Sequence, residues 1–308
     1  MKIYIICLLF IHSLFASELI VAIEKNANVN LDKALLGKSL FFEKKLSKNN
    51  SVSCASCHDI LHGGDDNMKS SVGINGQKGA LNAPTVLNSK YNFVQFWDGR
   101  AKDLKEQASG PIHNPMEMGS NINEVVQKLK QNKSYVKKFD GVYKDIIRPK
   151  YILDAIVEFE KALITPNSKF DLYLNGQKGI LSKEEKDGYK LFKSYGCISC
   201  HNGINIGGNL FQKMGILKKV KNTNNRYLGR FNVTKDEDDK YFFKVPSLRN
   251  IEKTAPYFHN GESKTLRDAV KTMMEYQLGV NATVNEIDKI IAFLKTLNGE
   301  TPKIMEMK

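Results

Sequence analysis

The chain has 308 residues, 42% of them hydrophobic and 26% charged, with a formal net charge of +13 at pH 7. This is ordinary globular composition, enough for one large or two medium domains. The lysines are scattered rather than clustered, which argues against nucleic acid as a partner; a basic surface of this kind can steer acidic partners, and an ordinary solvated surface is the alternative.

The chain begins Met1-Lys2, continues with an almost unbroken apolar run from Ile3 to Phe15, and then reads Ala16-Ser17-Glu18. A basic start, a short apolar core and small residues describe a secretory signal peptide over residues 1–16. The run is too short to cross a bilayer comfortably. No later stretch is long and apolar enough to do so, and the expected location is the periplasm, without stable membrane insertion.

Of five cysteines, Cys7 leaves with the signal. The other four form two copies of Cys-x-x-Cys-His, at Cys54, Cys57 and His58 and at Cys197, Cys200 and His201. Two thiols in this spacing lie about one helical turn apart. They can add to the two vinyl groups of a haem while the following histidine faces the iron, which is the c-type haem attachment signal. A four-cysteine zinc site would need the pairs to converge across the chain and gives no reason for the histidines. A redox dithiol needs a βαβ context that is absent. Two covalent haems, with iron ligated by His58 and His201, is the reading.

The surroundings repeat in order. Gly37-Lys38-Ser39-Leu40-Phe41 precedes the first motif and Gly188-Tyr189-Lys190-Leu191-Phe192 the second. Pro84-Thr85-Val86-Leu87-Asn88 follows the first, and Pro246-Ser247-Leu248-Arg249-Asn250 the second. Beyond these, Phe96-Trp97-Asp98-Gly99 matches Phe258-His259-Asn260-Gly261, and Leu104 matches Leu266. Between the halves, Ile152, Ala155, Ile156, Phe159 and Leu163 make a helical stripe. Ser182 with Glu185, and Thr283 with Glu286, read as capping boxes. Strand signals are weak. The expectation is an all-α protein of two cytochrome c-like domains related by duplication. The first spans residues 17–165 and the second 166–308, joined near Thr165-Pro166-Asn167.

The halves differ where a sixth iron ligand belongs. Seven residues beyond Leu266 is Met273, which with the adjacent Met274 is a candidate axial ligand; an ordinary core methionine is the alternative. The same offset from Leu104 reaches Pro111, which has no ligating side chain. Around it lie Gln107, His113, Met116 and Glu117. One closed and one open haem is an arrangement for chemistry at the open site, with the other supplying electrons.

These residues carry a resemblance to the bacterial di-haem cytochrome c peroxidases over the whole mature sequence. The matching motifs are Leu40-Phe41-Phe42, Leu46-Ser47, Asn82-Ala83-Pro84-Thr85, Gln95 through Arg100, Glu117-Met118, Thr254 through His259, Gln277-Leu278-Gly279 and both haem sites. The resemblance implies that Met273 is the axial methionine of the electron-transfer haem. It implies that Gln107 and Glu117 are the distal amide and carboxylate, with Trp97 between the haems. It implies a Ca²⁺ ion held by Asn82, Thr254 and Pro256, the last two through carbonyls. Hydrogen peroxide is then the substrate, a small soluble monohaem cytochrome the expected donor, and a homodimer the expected assembly. Many members carry a histidine ligand in the loop Ser71 through Gln77, where this chain has Ile74. His62 and His113 are the spare histidines of that half. The alternatives are a plain di-haem electron carrier, or an oxidase of a protein or quinol substrate like the methylamine dehydrogenase maturation enzymes. The latter carry tyrosine where Met273 stands.

Overall fold

The computed structural model describes residues 19–218 and 227–307; the leader read at residues 1–16 lies outside them. In the first half, helix α1 (Leu31–Phe41) starts at Asn30, whose side chain accepts from the Lys33 N–H. It packs along α5 (Pro149–Ala162), which begins with the proline favoured at a helix start. The stripe Ile152, Ala155, Ile156, Phe159 and Leu163 is buried along that contact. Helices α2 (Leu104–His113), α3 (Ile122–Lys130) and α4 (Lys133–Tyr143) complete the first half.

The second half follows α6 (Lys169–Leu174) with α7 (Lys183–Ser194), which packs on the late helix α10 (Val284–Lys295). Both predicted capping boxes form, Ser182 with Glu185 and Thr283 with Glu286. Sheet is confined, among the described residues, to a two-stranded antiparallel ribbon of β1 (Phe211–Lys213) and β2 (Phe242–Lys244) and a few isolated bridges. The short α8 (Phe231–Thr234) lies between these strands in sequence. Helix α9 (Leu266–Thr272) runs into a π-helical turn, Met273–Gln277. Such turns gather at functional sites.

The duplication extends to the backbone. A Cβ on Gly37 would lie 1.9 Å from the Ala155 carbonyl oxygen, and one on Gly188 would lie 1.9 Å from that of Lys289. Glycine is needed at both places because the paired helices touch there. The matched residues Asn88 and Asn250 both have positive φ, as do Phe96 and Phe258. The same register makes Glu160 of α5 the counterpart of Leu294 of α10. At the junction, the N–H of Asn82 donates to the carbonyl of His259 (2.9 Å), and the N–H of Lys244 to that of Trp97 (2.8 Å). These bonds exchange under the match of Asn82 with Lys244 and Trp97 with His259, so the halves meet about a local pseudo-twofold.

The ends cross over. Residues 19–23 pack on the second core: Ile20 lies in its cluster, and Arg249 donates to the Val21 carbonyl. Ile304 packs on the first core, where Lys38 donates to the carbonyls of Ile304 and Met305. The connecting Thr165 is buried between the matched asparagines, its hydroxyl accepting from Asn88 at 2.8 Å and Asn250 at 2.9 Å. Arg249 and Asp171 form a fully buried pair at 2.9 and 3.0 Å, with Ser168 and the Ile23 N–H also donating to the carboxylate. This is the geometry in which a buried ion pair holds.

Candidate active site

Each attachment motif folds into a single 3₁₀ turn, Cys54–Ser56 and Cys197–Ser199, which carries the second cysteine at its end. The Cys57 N–H donates to the Cys54 carbonyl at 3.1 Å, and the Cys200 N–H to that of Cys197 at 3.3 Å. All four cysteines are free of disulfides. Among the described residues no three His, Cys, Asp or Glu side chains converge as a metal cluster, which removes the zinc reading. The two histidines share one more feature. His58 Nδ1 lies 3.0 Å from the Gly64 carbonyl, and His201 Nδ1 lies 3.4 Å from that of Ile206. Each ring therefore commits Nδ1 to backbone and keeps Nε2 for an iron. Burial holds the imidazole of His201 down to about 4 and pushes that of His58 the same way, so both are neutral. These residues fit a c-type haem in each half.

In the second half the attachment residues border a cavity that would take such a group. Cys197, Cys200, His201, Met273, Leu266 and Leu278 line one cavity with Met274, Ile290 and Leu294. Met273 starts the π-helical turn and is partly exposed, while Met274 is fully buried in the second core. Trp97 and Asn82, from the first half, line the same cavity. The Trp97 indole donates to the Asn82 carbonyl at 2.9 Å and meets the His259 ring edge-on, 6.3 Å between centroids.

The first half presents a different distal side. Pro111 sits inside α2. Without an N–H it cannot bond the Gln107 carbonyl one turn back, and the helix ends two residues later, before the Asn114 turn. That turn carries Glu117. The Asn114 side-chain amide donates to Glu117 Oε1 at 2.6 Å. Burial raises the carboxyl above its ordinary value, against the lowering effects of the Asn114 bond and the nearby Arg100 charge. Burial is the main reason the Cys54 and Cys57 thiols lie above their ordinary value, with Glu160 adding to it at Cys54, Asp66 at Cys57, and Glu117 making the smallest contribution to both. Ile74 is buried beside Glu117, its N–H donating to the Glu117 carbonyl at 2.9 Å. A Cβ on Gly119 would meet the Ile74 side chain at 2.4 Å, so glycine there makes room for it.

The spare histidines are engaged elsewhere. His62 is exposed and paired with Asp59 at 2.8 Å. His113 is also exposed; its Nδ1 faces the Ser109 carbonyl and its Nε2 accepts from the Ile122 N–H. Asn82, Thr254 and Pro256 all line the cavity. Asn82 spends its amide N–H on the Met68 carbonyl. Among the described residues no donor reaches its Oδ1 or the carbonyls of Thr254 and Pro256. Three uncommitted oxygens are what a hard cation takes.

Two residues near the site escaped the sequence reading. Asn114 acts through a turn whose geometry the sequence does not announce. Glu160 is buried, its Oε2 has no hydrogen-bond partner, and burial raises its carboxyl to about 8. Its signal was present: it stands four residues after Ile156, a carboxylate on an apolar helix face.

Comparison with known proteins agrees with this geometry. The di-haem cytochrome c peroxidase family model matches residues 31–179, and the cytochrome c model matches residues 185–298. The chain is 50% identical to the cytochrome c551 peroxidase of Nitrosomonas europaea, over 93% of this chain and 86% of that one. It is 44% identical to the cytochrome c551 peroxidase of Pseudomonas aeruginosa, over 87% and 79%. A solved MauG-like protein associated with microbial copper homeostasis superposes with a TM-score of 0.82 at 26% identity, covering 91% of this chain and 93% of that one. With both attachment motifs in duplicated helical halves and relatives at this identity, the chain belongs to the di-haem cytochrome c peroxidase family and carries two c-type haems.

Proposed function

We propose that this enzyme, a cytochrome c peroxidase, works in the periplasm, reduces hydrogen peroxide at the haem held by Cys54, Cys57 and His58, and draws electrons from a small soluble cytochrome through the haem held by Cys197, Cys200 and His201. The observation that carries the assignment of roles is the asymmetry between matched positions. Met273 and His201 line one apolar cavity. The matching side of the first half offers Pro111, a buried Ile74 and a half-buried carboxyl, and its spare histidines are occupied at the surface.

The haems supply the iron that binds peroxide and the store of reducing equivalents. The rest falls to side chains. Glu117, as carboxylate, takes the proton from the near oxygen of peroxide and returns it to the far oxygen, so that water leaves. Asn114 holds that carboxylate in place by its 2.6 Å bond. Gln107 donates a hydrogen bond that orients the peroxide. Trp97, bonded through its indole to Asn82, occupies the junction through which the halves exchange electrons. Overall, peroxide, two protons and two electrons give two waters. Asn82, Thr254 and Pro256 hold Ca²⁺ at the same junction, and the enzyme acts as a homodimer.

Steady-state peroxide consumption with a reduced monohaem cytochrome c, alongside EPR of the oxidised protein, tests this. Turnover with a high-spin ferric signal is expected. A purely low-spin spectrum would remove the open first haem, and reduction of the protein without peroxide turnover would leave an electron carrier. Loss of activity on chelation, restored by Ca²⁺, tests the calcium ligands.

A further inference from the structure

Lys244 closes strand β2, opposite Phe211, with its backbone N–H on the Trp97 carbonyl. Its side chain is only 5% exposed and lines the cavity of the second haem. Among the described residues no acceptor or carboxylate engages its ammonium. The cavity wall contains one other lysine, Lys213, and no aspartate or glutamate. Burial lowers the Lys244 ammonium to about 8, and no anion of the chain pushes it back.

An unpaired buried ammonium is strongly unfavourable unless something anionic meets it. The duplication sharpens the point. Asn82 is the matched residue in the first half, with the corresponding bond to the His259 carbonyl, and it is neutral. The positive charge of Lys244 thus has no counterpart at the matched position of the first half. A c-type haem brings two propionate carboxylates and no other anionic group.

We propose that Lys244 is the counter-ion of a propionate of the second haem, and that its charge holds that haem's reduction potential high. This rests on the di-haem reading of the two attachment motifs. A cation beside the haem favours the ferrous form, which is the state that donates to the first haem. Its backbone bond to Trp97 fixes the counter-ion at the junction between the halves. Lys244 is a positioning residue: it acts through the haem rather than on peroxide.

The test is spectroelectrochemical titration of the holoprotein and of Lys244→Met and Lys244→Arg. Two covalent haems per chain by intact mass verify the underlying reading independently. What shifts the potential is the interaction of the lysine charge with the extra positive charge of the ferric iron, and a unit charge at a haem edge, roughly 10 Å from the iron at an effective dielectric of about 20, changes that equilibrium by about tenfold. In Lys244→Met the ferrous-to-ferric ratio of the second haem at fixed electrode potential should therefore fall about tenfold, a shift of about 59 mV for one electron. Lys244→Arg should stay near wild type, and the first haem should move less than the second. An unchanged second potential in Lys244→Met, with both haems attached, overturns the proposal. If neither variant folds, resonance Raman of the wild-type holoprotein decides. A propionate-bending band at the position of a hydrogen-bonded carboxylate supports the pairing, and one at the position of a free carboxylate refutes it.

Discussion

Asn114→Ala isolates one bond in the proton-transfer site. The Asn114 amide donates to Glu117 Oε1 at 2.6 Å and counts among the influences that lower a carboxyl otherwise raised by burial. Removing it leaves desolvation less opposed, so the carboxyl rises further. In the proposed mechanism Glu117 acts as a base and must be ionised, so the acid limb of kcat/KM is expected to move to higher pH. A hydrogen bond to a charged group is worth about 1.5–3 kcal/mol. Glu117 is only half-buried, so solvent screening favours the lower end of that range. At about 1.4 kcal/mol per factor of ten, kcat/KM below the limb falls about tenfold. Above the limb, where Glu117 is ionised in both proteins, the difference narrows. Asn114 Oδ1 also accepts from the Met116 N–H, so the turn itself is at stake. Asn114→Ser, which can still cap the turn, controls for this. The assay is the pH profile of kcat/KM for peroxide in wild type, Asn114→Ala and Asn114→Ser. An acid limb in Asn114→Ala at the wild-type pH would show that this bond does not set the protonation of the base.

Glu117→Gln should retain both haems by optical spectrum and lower turnover by at least about 10², the lower range for a lost general acid–base; near-normal turnover would remove Glu117 from the mechanism. Arg249→Met leaves Asp171 buried and unpaired, and the loss is expected at about 3–5 kcal/mol, read as a lower urea midpoint at unchanged slope. Glu160 should make stability depend on pH, because burial lifts its carboxyl from 4.5 to about 8. A raised acid group contributes fully below the unfolded pKa, and that contribution is lost as pH rises from about 4.5 to about 8. Glu160→Leu, which copies the matched Leu294, should remove a pH dependence totalling on the order of 5 kcal/mol across that window. Denaturation midpoints of the two proteins that run parallel across that window would contradict the burial.

The two haem sites, the helical class and the duplication were legible because each rests on local sequence. Cys-x-x-Cys-His is complete within five residues, and helix stripes and capping boxes are short-range. Gly37 and Gly188 were legible only as matched positions; that each lies where two helices touch came from the structure. The asymmetry on which the proposed open and closed irons rest is also in the sequence, since the offset that reaches Met273 reaches Pro111 in the other half.

Tertiary structure decided what depends on segments far apart in the chain. It brought residues 19–23 onto the second core and Ile304 onto the first, because each end finds its apolar and hydrogen-bonding partners across the junction. It turned His62 and His113 to the surface, where Asp59, Ser109 and Ile122 meet their ring nitrogens. It set Ile74 against Gly119 and the Glu117 loop. In the sequence, Lys244 is one lysine among many, two positions before Pro246 as Asn82 is two before Pro84. The folded chain carries both into one desolvated junction. There a lysine's charge, immaterial on a surface, becomes large enough to require a partner.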